Sequence, residues 1–282
     1  MATEIYVGKK LEPLEFIASP ERIREYIDGV LDHHPWYSGE SPFGGPVAPA
    51  LIFHSISPMF QGWWFDNKFG TLYTRQEWTL SGVLRPGQKA TATATITDRY
   101  YKRGREYVAL TVELRDAQGL PLARGTHHQS FLLAQNQGEA KLKASQAKTT
   151  PSPIPSGEQI PPLHKTVTLE MCQAFYAGPK NYHNDLEAAR AWGFKDVVIG
   201  GPMSLCFLSE FMTRRFGKGW YVGGHLDVKL VDVLWPNEPL TTGGVIRERV
   251  PEGHATRAVA DVWCEKADGT KTIVGTASAL EQ

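Results

Sequence analysis

The chain contains two copies of one sequence pattern, and this internal repeat constrains its fold more than any other feature. The segment GTLYTRQEWTLSGVLRPGQ (70–88) can be laid over GWYVGGHLDVKLVDVLWPNE (219–238) so that Pro86 meets Pro236. The same offset brings LRDAQGLPLARGT (114–126) onto CEKADGTKTIVGT (264–276). Because a repeated unit folds as a repeated structure, the sequence predicts two copies of one supersecondary unit.

Each copy presents its structural signals in the same order. A Gly-Gly-Pro is followed by an apolar segment, which predicts an α-helix over 48–64 in the first copy and over 202–217 in the second. Alternating apolar positions, as in YVALTVEL (107–114) and AVADVWCE (258–265), then predict antiparallel strands joined by hairpin turns. The predicted fold class is α+β, with a long antiparallel sheet wrapped around one central helix in each repeat.

A polar segment separates the two copies. Residues 134–162 are rich in Lys, Gln, Ser, Thr and Pro, and such a composition buries too little apolar area to fold alone. The predicted organisation is therefore an N-terminal repeat over 1–133, a linker over 134–162 and a C-terminal repeat over 163–282.

Composition narrows the range of partners and compartments. Lys and Arg together number 30, and so do Asp and Glu, so the chain has no net field that would favour nucleic acid or an anionic membrane surface. The three cysteines, Cys172, Cys206 and Cys264, have no spacing typical of disulfides or of C-x-x-C sites. No segment reaches the roughly 18 apolar residues of a membrane span, and the N-terminus does not resemble a signal peptide. A cytoplasmic protein is expected.

Two stretches carry a family resemblance. LHKTVTLEMCQAFYAGPKNYHNDLEAARAWGFKDVVIGGPM (163–203) resembles the hydratase motif of the MaoC-like family, which comprises R-specific enoyl-CoA hydratases and type 2 hydroxyacyl-thioester dehydratases. DHHPWYSGESPFGGPVAPALIF (32–53) looks like the degenerate N-terminal repeat of its double hot-dog members. With both stretches, the resemblance spans nearly the whole chain and implies a double hot-dog fold.

The resemblance also implies a chemistry. The substrate would be an acyl thioester of coenzyme A or of acyl carrier protein, with coenzyme A present only as part of the substrate and no other cofactor. In the family, a histidine and an aspartate five residues before it hold the reacting water, and a backbone N–H at the start of the central helix polarises the thioester oxygen. By position, His183 matches the family histidine, Asp185 the later carboxylate, Asn181 the asparagine and Gly201 the oxyanion glycine.

The match is incomplete at the acid. Gly178 stands five residues before His183, where the family has its aspartate, and Gly200 replaces the histidine before the oxyanion glycine. In the first repeat the reverse holds, because Asp32 stands five residues before Tyr37. The candidates for the missing acid are three neighbours of His183 and one residue of the other repeat: Asn181, Tyr182, Asp185 and, reaching across between the repeats, Asp32.

Each candidate also has a structural interpretation. Asn184 or Asp185 suits the N-cap of a helix, and Gly200, Gly201 and Pro202 suit the start of one. The Gly-Gly-Pro of the first repeat (44–46) is expected to keep this geometry without a reaction. Among the residues expected to bind substrate, Trp63 and Trp64 are either core or tunnel wall, and as tunnel wall they would favour a compact acyl group; the other members of this set are Gly200, Pro202, Asp32 and Tyr37.

Three functions remain open on the sequence. The first is a hydro-lyase acting on an enoyl- or 3-hydroxyacyl-CoA, with His183 as the base or acid and the Gly201 N–H as the oxyanion donor. The second is a non-catalytic subunit of the same fold that binds acyl thioesters or pairs with an active homologue, and the third is a thioesterase. A homodimer of such chains is an expected assembly. Metal binding is not expected, because the histidine pairs 33–34 and 127–128 lack a set of further ligands.

Overall fold

One antiparallel sheet of ten strands organises the molecule in a computed structural model that describes residues 4–65, 71–132 and 156–281. The strands are β1 (Lys10–Ile17), β2 (Leu72–Leu80), β3 (Lys89–Lys102), β4 (Arg105–Arg115), β5 (Pro121–Phe131), β6 (Glu158–Thr166), β7 (His225–Leu230), β8 (Pro239–Glu252), β9 (Ala255–Lys266) and β10 (Lys271–Glu281). The helices are α1 (Pro20–Val30), α2 (Leu169–Phe175), α3 (Leu186–Ala191), α4 (Gly201–Phe216) and α5 (Lys218–Gly223), with short 3₁₀ helices at Pro35–Tyr37 and Ser57–Met59. The predicted α+β class is confirmed.

The strand order is symmetric about its centre. It runs β1-β3-β4-β5-β2-β7-β10-β9-β8-β6, so that each repeat supplies five neighbouring strands and the β2–β7 pair joins the two halves. Across this pair, Arg75 donates two hydrogen bonds to Asp227, at 2.7 and 2.6 Å. The two repeats therefore share one continuous hydrogen-bonded sheet.

The sequence offset is also a structural offset. The alignment that places Pro86 on Pro236 places the first residue of β3 on the first residue of β8, and likewise β5 on β10. Each of the two long strands even shifts register at the same point, between Ile96 and Asp98 in β3 and between Ile246 and Glu248 in β8. The repeat seen in the sequence is therefore preserved down to the position of a bulge.

Helix α4 is the central helix of the second repeat. It starts with Pro202 in its first turn and ends before Gly217, whose φ of 52° closes the helix. Its buried side chains lie on all sides, because the sheet and the other helices surround it: Met203, Leu205, Cys206, Phe207, Leu208, Phe211 and Met212. Even so, no helix in the described ranges is both long and apolar enough to cross a membrane.

The helix predicted over 48–64 is wrong. The chain there makes tight turns with hydrogen bonds between residues three apart, from Ile52 N–H to Pro49 O (2.9 Å) and from Ile56 N–H to Phe53 O (2.9 Å), and it includes only the short 3₁₀ helix at 57–59. Pro49 and Pro58 lack the N–H that an α-helix needs. The apolar run reflects complete burial of Phe53, Ile56 and their neighbours rather than helical periodicity.

The second repeat starts earlier than predicted. Strand β6 begins at Glu158, inside the range assigned to the linker, while residues 133–155 lie outside the described residues. β6 is an edge strand, and Ile160 and Leu163 point into the core on either side of a register shift. Because prolines are tolerated at the edge of a sheet and at bulges, the Pro161-Pro162 pair does not end the strand.

Candidate active site

The start of α4 exposes one backbone donor. Gly200 is the N-cap, Gly201 is the first helical residue, and Pro202 has no N–H to offer. The Met203 N–H donates to the Gly200 carbonyl at 3.1 Å, whereas no hydrogen bond of the described residues uses the Gly201 N–H. A Cβ at position 201 would overlap Leu230 and lie 2.7 Å from the Tyr73 ring, so only glycine fits. The first helical residue of α4 thus presents a free amide at the positive end of the helix.

His183 is held by a turn between α2 and α3. The Asn181 side-chain oxygen accepts from the His183 N–H at 2.8 Å, and the Asn184 oxygen accepts from the Asn181 N–H at 2.8 Å. The His183 Nδ1 lies 2.7 Å from the Val198 carbonyl oxygen. Since a carbonyl only accepts, Nδ1 carries the proton and Nε2 is the basic nitrogen. Asn181, a predicted catalytic residue, therefore positions His183.

His183 and the start of α4 lie side by side. The His183 Cε1 is 3.1 Å from the position of a Cβ built on Gly200, which places the imidazole against the N-cap. Burial lowers the pKa of His183 from 6.5 to about 4, although the Val198 carbonyl acts in the opposite direction. The ring is therefore neutral at physiological pH. The structure brings together two of the predicted residues, His183 and Gly201, with Gly200 between them.

Tyr176, which the sequence did not single out, completes this corner. It follows α2 directly, and its ring stacks on His183 with centroids 4.6 Å apart and planes at 19°. Its hydroxyl reaches Gly200 so closely that any side chain at 200 would overlap it. The hydroxyl is buried without a hydrogen-bond partner among the described residues. The Met203 amide lies near it, but that N–H already donates to Gly200, so the contact is electrostatic rather than a well-formed hydrogen bond.

The first repeat supplies the opposite wall of this corner. The Tyr73 ring, which touches Gly201, is stacked on His127 with centroids 4.0 Å apart and planes at 2°. The His127 Nε2 lies 2.8 Å from Gln129 Oε1, and burial lowers the pKa of His127 to about 4. Trp63 packs edge-on against His127 at 5.3 Å. This wall is therefore aromatic and uncharged.

The two predicted tryptophans occupy different environments. Trp63 is fully buried and its Nε1 donates to the Ser57 carbonyl at 3.1 Å, which makes it a core residue. Trp64 is only partly buried and lies 5.5 Å from Phe131. Both are linked to the start of α4 through the rings of His127 and Tyr73.

Four side chains around this corner indicate that it is a recess in the surface rather than part of the solid core. His54, Tyr73, Tyr176 and His183 all keep solvent-accessible surface, yet burial is the main cause of every one of their pKa shifts. A group that is both deep and accessible lines a cleft. His54, whose ring stacks on Phe175 at 4.4 Å and whose pKa falls to about 3, comes from the first repeat.

A second concavity lies elsewhere and has a different character. About 260 Å³ of space opens over strands β2, β7 and β10, where its lining includes Glu77, Thr79, His225 and Asp227. Its lining includes neither His183 nor any residue at the start of α4. We place the candidate site at the start of α4, because a neutral imidazole and a free helix amide lie side by side there.

The remaining candidates near His183 have structural roles. Asp185 is the N-cap of α3, accepting from the Ala188 N–H at 2.9 Å, and it pairs with Lys180 at 2.9 Å. The Lys180 ammonium and the Ala188 amide lower the pKa of Asp185. Tyr182 touches the His183 ring at 4.0 Å, but its other ring contacts are with Trp192 and Phe194. Asp185 is therefore occupied by the helix start rather than by His183.

Asp32 does not reach His183. Its carboxylate accepts a hydrogen bond of 2.5 Å from the Tyr37 hydroxyl, and both side chains are buried. In the described chain, no contact joins Asp32 to His183, so the suggested pairing across the repeats is wrong. Burial raises the pKa of Tyr37 well above its ordinary value, and the nearby Tyr221 and Asp32 add to the effect. The phenol therefore remains a donor to the carboxylate.

The Gly-Gly-Pro of the first repeat does not keep the geometry of the second. Gly44 and Gly45 have φ angles of +73° and +91°, and no helix follows them. Arg85 instead binds this loop by donating to the carbonyls of Phe43 (2.5 Å) and Gly44 (2.7 Å). The expectation of matching geometry was wrong, because without α4's counterpart there is no helix start to form.

The histidine pairs at 33–34 and 127–128 do not gather further ligands. Among the residues that the structure describes, no group of three or more His, Cys, Asp or Glu side chains is arranged to hold a metal ion. His34 instead caps the 3₁₀ helix at 35–37 by accepting from the Trp36 N–H.

Comparisons with known proteins identify the fold. No family model matches the sequence, and no curated protein matches it. Among solved structures, a MaoC-like dehydratase is 18% identical with a TM-score of 0.75, covering 100% of this chain and 99% of its own. A MaoC-like dehydratase from Phytophthora capsici is 17% identical with a TM-score of 0.69, covering 100% and 98%. RV0216 from Mycobacterium tuberculosis, described as having a double hotdog fold, is 11% identical with a TM-score of 0.60, covering 98% and 96%. The predicted double hot-dog fold is confirmed.

Proposed function

We propose that this chain, which shares its fold with MaoC-like dehydratases, is a hydro-lyase that adds water to an enoyl thioester or removes it from a 3-hydroxyacyl thioester. The carrier would be coenzyme A or acyl carrier protein. One observation carries the proposal: a neutral histidine of fixed tautomer, His183, stands beside the free Gly201 amide at the positive end of α4.

The geometry suits a conjugate addition. In the hydration direction, Nε2 of His183 takes a proton from water as the water oxygen bonds to C3 of the enoyl group. The electron pair of the C2–C3 double bond moves towards the thioester, whose oxygen becomes an enolate oxyanion. The Gly201 N–H and the dipole of α4 stabilise that charge. The imidazolium then returns the proton to C2, which completes the addition of one water, and dehydration is the reverse.

The walls of the cleft favour a compact acyl group. Leu230 and the Tyr73 ring lie directly against Gly201, and behind Tyr73 the space is filled by His127 and Trp63. A long acyl chain would have to displace these packed rings, which costs free energy of cavity formation and repacking. We therefore expect short or planar enoyl groups to react faster than long fatty ones.

The test is a spectrophotometric assay. Purified protein is mixed with crotonyl-CoA and with branched, dicarboxylic and aromatic enoyl-CoAs, and loss of the conjugated thioester absorbance is followed. Replacing His183 by Ala should lower turnover about 100-fold or more if it transfers the proton. His164, an exposed histidine on β6, gives the matched control, and His164→Ala should retain full activity. A His183→Ala variant with the wild-type rate would refute the proposal.

The missing carboxylate favours one other candidate function. Gly178 stands where the family has its aspartate, and its φ of +117° is a conformation that L-residues with side chains rarely adopt. The second candidate is accordingly a subunit of the same fold that binds acyl thioesters without turning them over. Tight binding by calorimetry, with no loss of absorbance from any substrate, would support it, whereas release of free thiol would identify a thioesterase.

A further inference from the structure

The Tyr176 hydroxyl is a buried polar group whose free proton needs an acceptor. Its oxygen is shielded from solvent and has no hydrogen-bond partner in the described chain, although proteins seldom leave such a group unpaired. A phenylalanine at position 176 could make the same ring contacts with His183 and Phe175, because those contacts do not involve the hydroxyl. The oxygen is aimed at Gly200, at the head of α4. The unmet donor therefore points to a ligand.

The first three residues of α4 offer one free donor. Pro202 has no N–H and the Met203 N–H is taken by the Gly200 carbonyl, so that of these three residues only Gly201 keeps a free N–H in the described chain. A thioester oxygen that becomes an enolate is best stabilised by more than one fixed donor, since each contributes as the charge develops. The Tyr176 hydroxyl adjoins Gly200, the residue directly before Gly201, so both donors lie at the same end of α4.

We propose that the Tyr176 hydroxyl is the second hydrogen-bond donor to the thioester oxygen, and thus a catalytic residue of this chain. The inference rests on the proposed function. The phenol donates a hydrogen bond throughout the reaction but does not transfer its proton. The protons of the hydration step are therefore those of the added water alone. The acid–base cycle stays with His183.

The phenol is suited to donating rather than ionising. Burial raises the pKa of Tyr176 well above 10, with the nearby Cys172 and Cys206 acting in the same direction. A neutral phenol beside a neutral imidazole leaves the empty site without charge. During the reaction the enolate forms together with the His183 imidazolium, and a hydrogen bond from the phenol to the enolate is strongest where water is excluded.

The decisive variant is Tyr176→Phe, which keeps the ring and its stacking on His183. We expect kcat to fall about 100-fold, as for loss of one oxyanion donor, with little change in KM. The acid limb of the pH–rate profile should not move, because the base is untouched. Thermal stability of the free protein should be unchanged or higher, since an unpaired buried hydroxyl has been removed. Tyr100→Phe, at a 37% exposed tyrosine on β3, is the matched control.

Three outcomes would overturn the assignment. A Tyr176→Phe variant with wild-type kcat would show that the hydroxyl does not contact the reacting oxygen. A clear loss of thermal stability would show that the hydroxyl is paired in the free protein. A shifted pH profile with reduced kcat would mean that Tyr176 acts through His183, as a positioning residue, and this too would refute the donor role.

A binding experiment separates this inference from the proposed function. Crotonyl-CoA and cinnamoyl-CoA are bound to His183→Ala and to the His183→Ala, Tyr176→Phe double variant, and the enoyl-thioester absorbance is recorded. A shift to longer wavelength with the single variant, lost in the double variant, supports polarisation by Tyr176 even if the wild type hydrates neither compound. If the wild type hydrates these compounds but the two variants give equal spectra, the proposed function stands and Tyr176 has no part in it.

Discussion

His183 combines a fixed tautomer with a lowered pKa, and the two properties have one origin. The ring is buried against Tyr176 and Gly200, which penalises the imidazolium and lowers the pKa to about 4. The same burial brings Nδ1 to the Val198 carbonyl, which leaves Nε2 basic. The chain thereby has an imidazole that is unprotonated over the whole physiological range but is a weaker base than an ordinary histidine. In the proposed reaction, a bound enolate would raise the pKa of the imidazolium once charge develops.

This residue makes a prediction about pH. Protonation of free His183 abolishes its function as a base, so kcat/KM should be flat from neutral pH downwards and should fall only as pH approaches about 4. A histidine with an ordinary environment would lose activity near pH 6.5 instead. The measurement is kcat/KM with the best enoyl-CoA between about pH 4.5 and pH 8, using short assays that precede any unfolding. An acid limb centred near 6.5 would show that His183 is solvated in the free enzyme.

At this scale, sequence reasoning found residues that a local motif specifies. His183, Gly200 and Gly201 lie within one short segment, and the resemblance of that segment to a family motif implied a shared site. Tyr176 was not distinguished from the neighbouring Phe175, because an unpaired hydroxyl is a property of packing and not of sequence. Nor was Tyr73 assigned to the site, since it comes from the other repeat and meets α4 only in three dimensions.

Among the secondary-structure elements, α4 and the segment 48–64 show what an apolar run does and does not predict. Both runs are buried, but α4 has one proline, in its first turn, whereas the other run has both Pro49 and Pro58 within it. The strands were more predictable, because alternation and hairpin turns repeat in register between the two halves. The repeat therefore located the strands of both halves. It located the central helix only in the second half, because prolines inside the matching segment of the first half remove backbone N–H groups that a helix needs.

Lys165 on β6 fixes the relative position of three elements. Its ammonium donates to the last carbonyls of α1, Val30 (2.7 Å) and Leu31 (2.9 Å), and it pairs at 2.9 Å with Glu210, a buried residue of α4. Arg214 also binds Glu210, at 2.5 Å. Burial raises the pKa of Glu210, and the nearby Asp32 adds to that rise. The ammonium therefore holds together a carboxylate and a helix end that belong to different repeats.

Replacing Lys165 by Met should destabilise the protein by about 2 to 4 kcal/mol, because Glu210 then keeps only Arg214 as a partner and the carbonyls of Val30 and Leu31 lose their donor. Denaturant unfolding at pH 7 measures the loss. Lys89→Met is the control: Lys89 pairs with Glu15 at the surface, and such pairs contribute about 1 kcal/mol or less. In the double variant Lys165→Met, Glu210→Gln, part of the stability should return. Equal effects of Lys165→Met and Lys89→Met would contradict this role.

At the scale of the whole molecule, the candidate site belongs to neither repeat alone. The second repeat supplies His183, Tyr176 and the start of α4, while the first supplies Tyr73 against Gly201, and His54 behind Phe175, the residue before Tyr176. The two halves are joined at the β2–β7 pair, so the sheet that forms the core also aligns the walls. The first repeat has no central helix of its own. The proposed function does not require one, because the first repeat only supplies a wall of the cleft.

Buried neutral histidines in both halves should make the whole molecule sensitive to acid. His54, His127 and His183 have pKa values lowered by burial to about 3, 4 and 4, against 6.5 in an unfolded chain. Between about pH 6.5 and pH 4 the unfolded state binds protons that the folded state does not, so stability falls as pH falls, by roughly 1.4 kcal/mol per pH unit for each histidine. Below the folded pKa values this contribution stops growing.

His127→Gln isolates one of these contributions. A glutamine side chain cannot titrate, so the variant should lose about one proton's share of the pH dependence, which for His127 amounts to about 3 kcal/mol between pH 6.5 and pH 4. Urea unfolding at pH 7, 6 and 5 measures the slope, and His254→Gln, at an exposed turn position, is the control that should leave it unchanged. Because β2 and β7 make the two repeats one sheet, both halves should unfold together as pH falls. An unchanged slope in His127→Gln would mean that His127 titrates alike in the folded and unfolded chains, and this would contradict the burial of its ring in the aromatic wall beside Gly201.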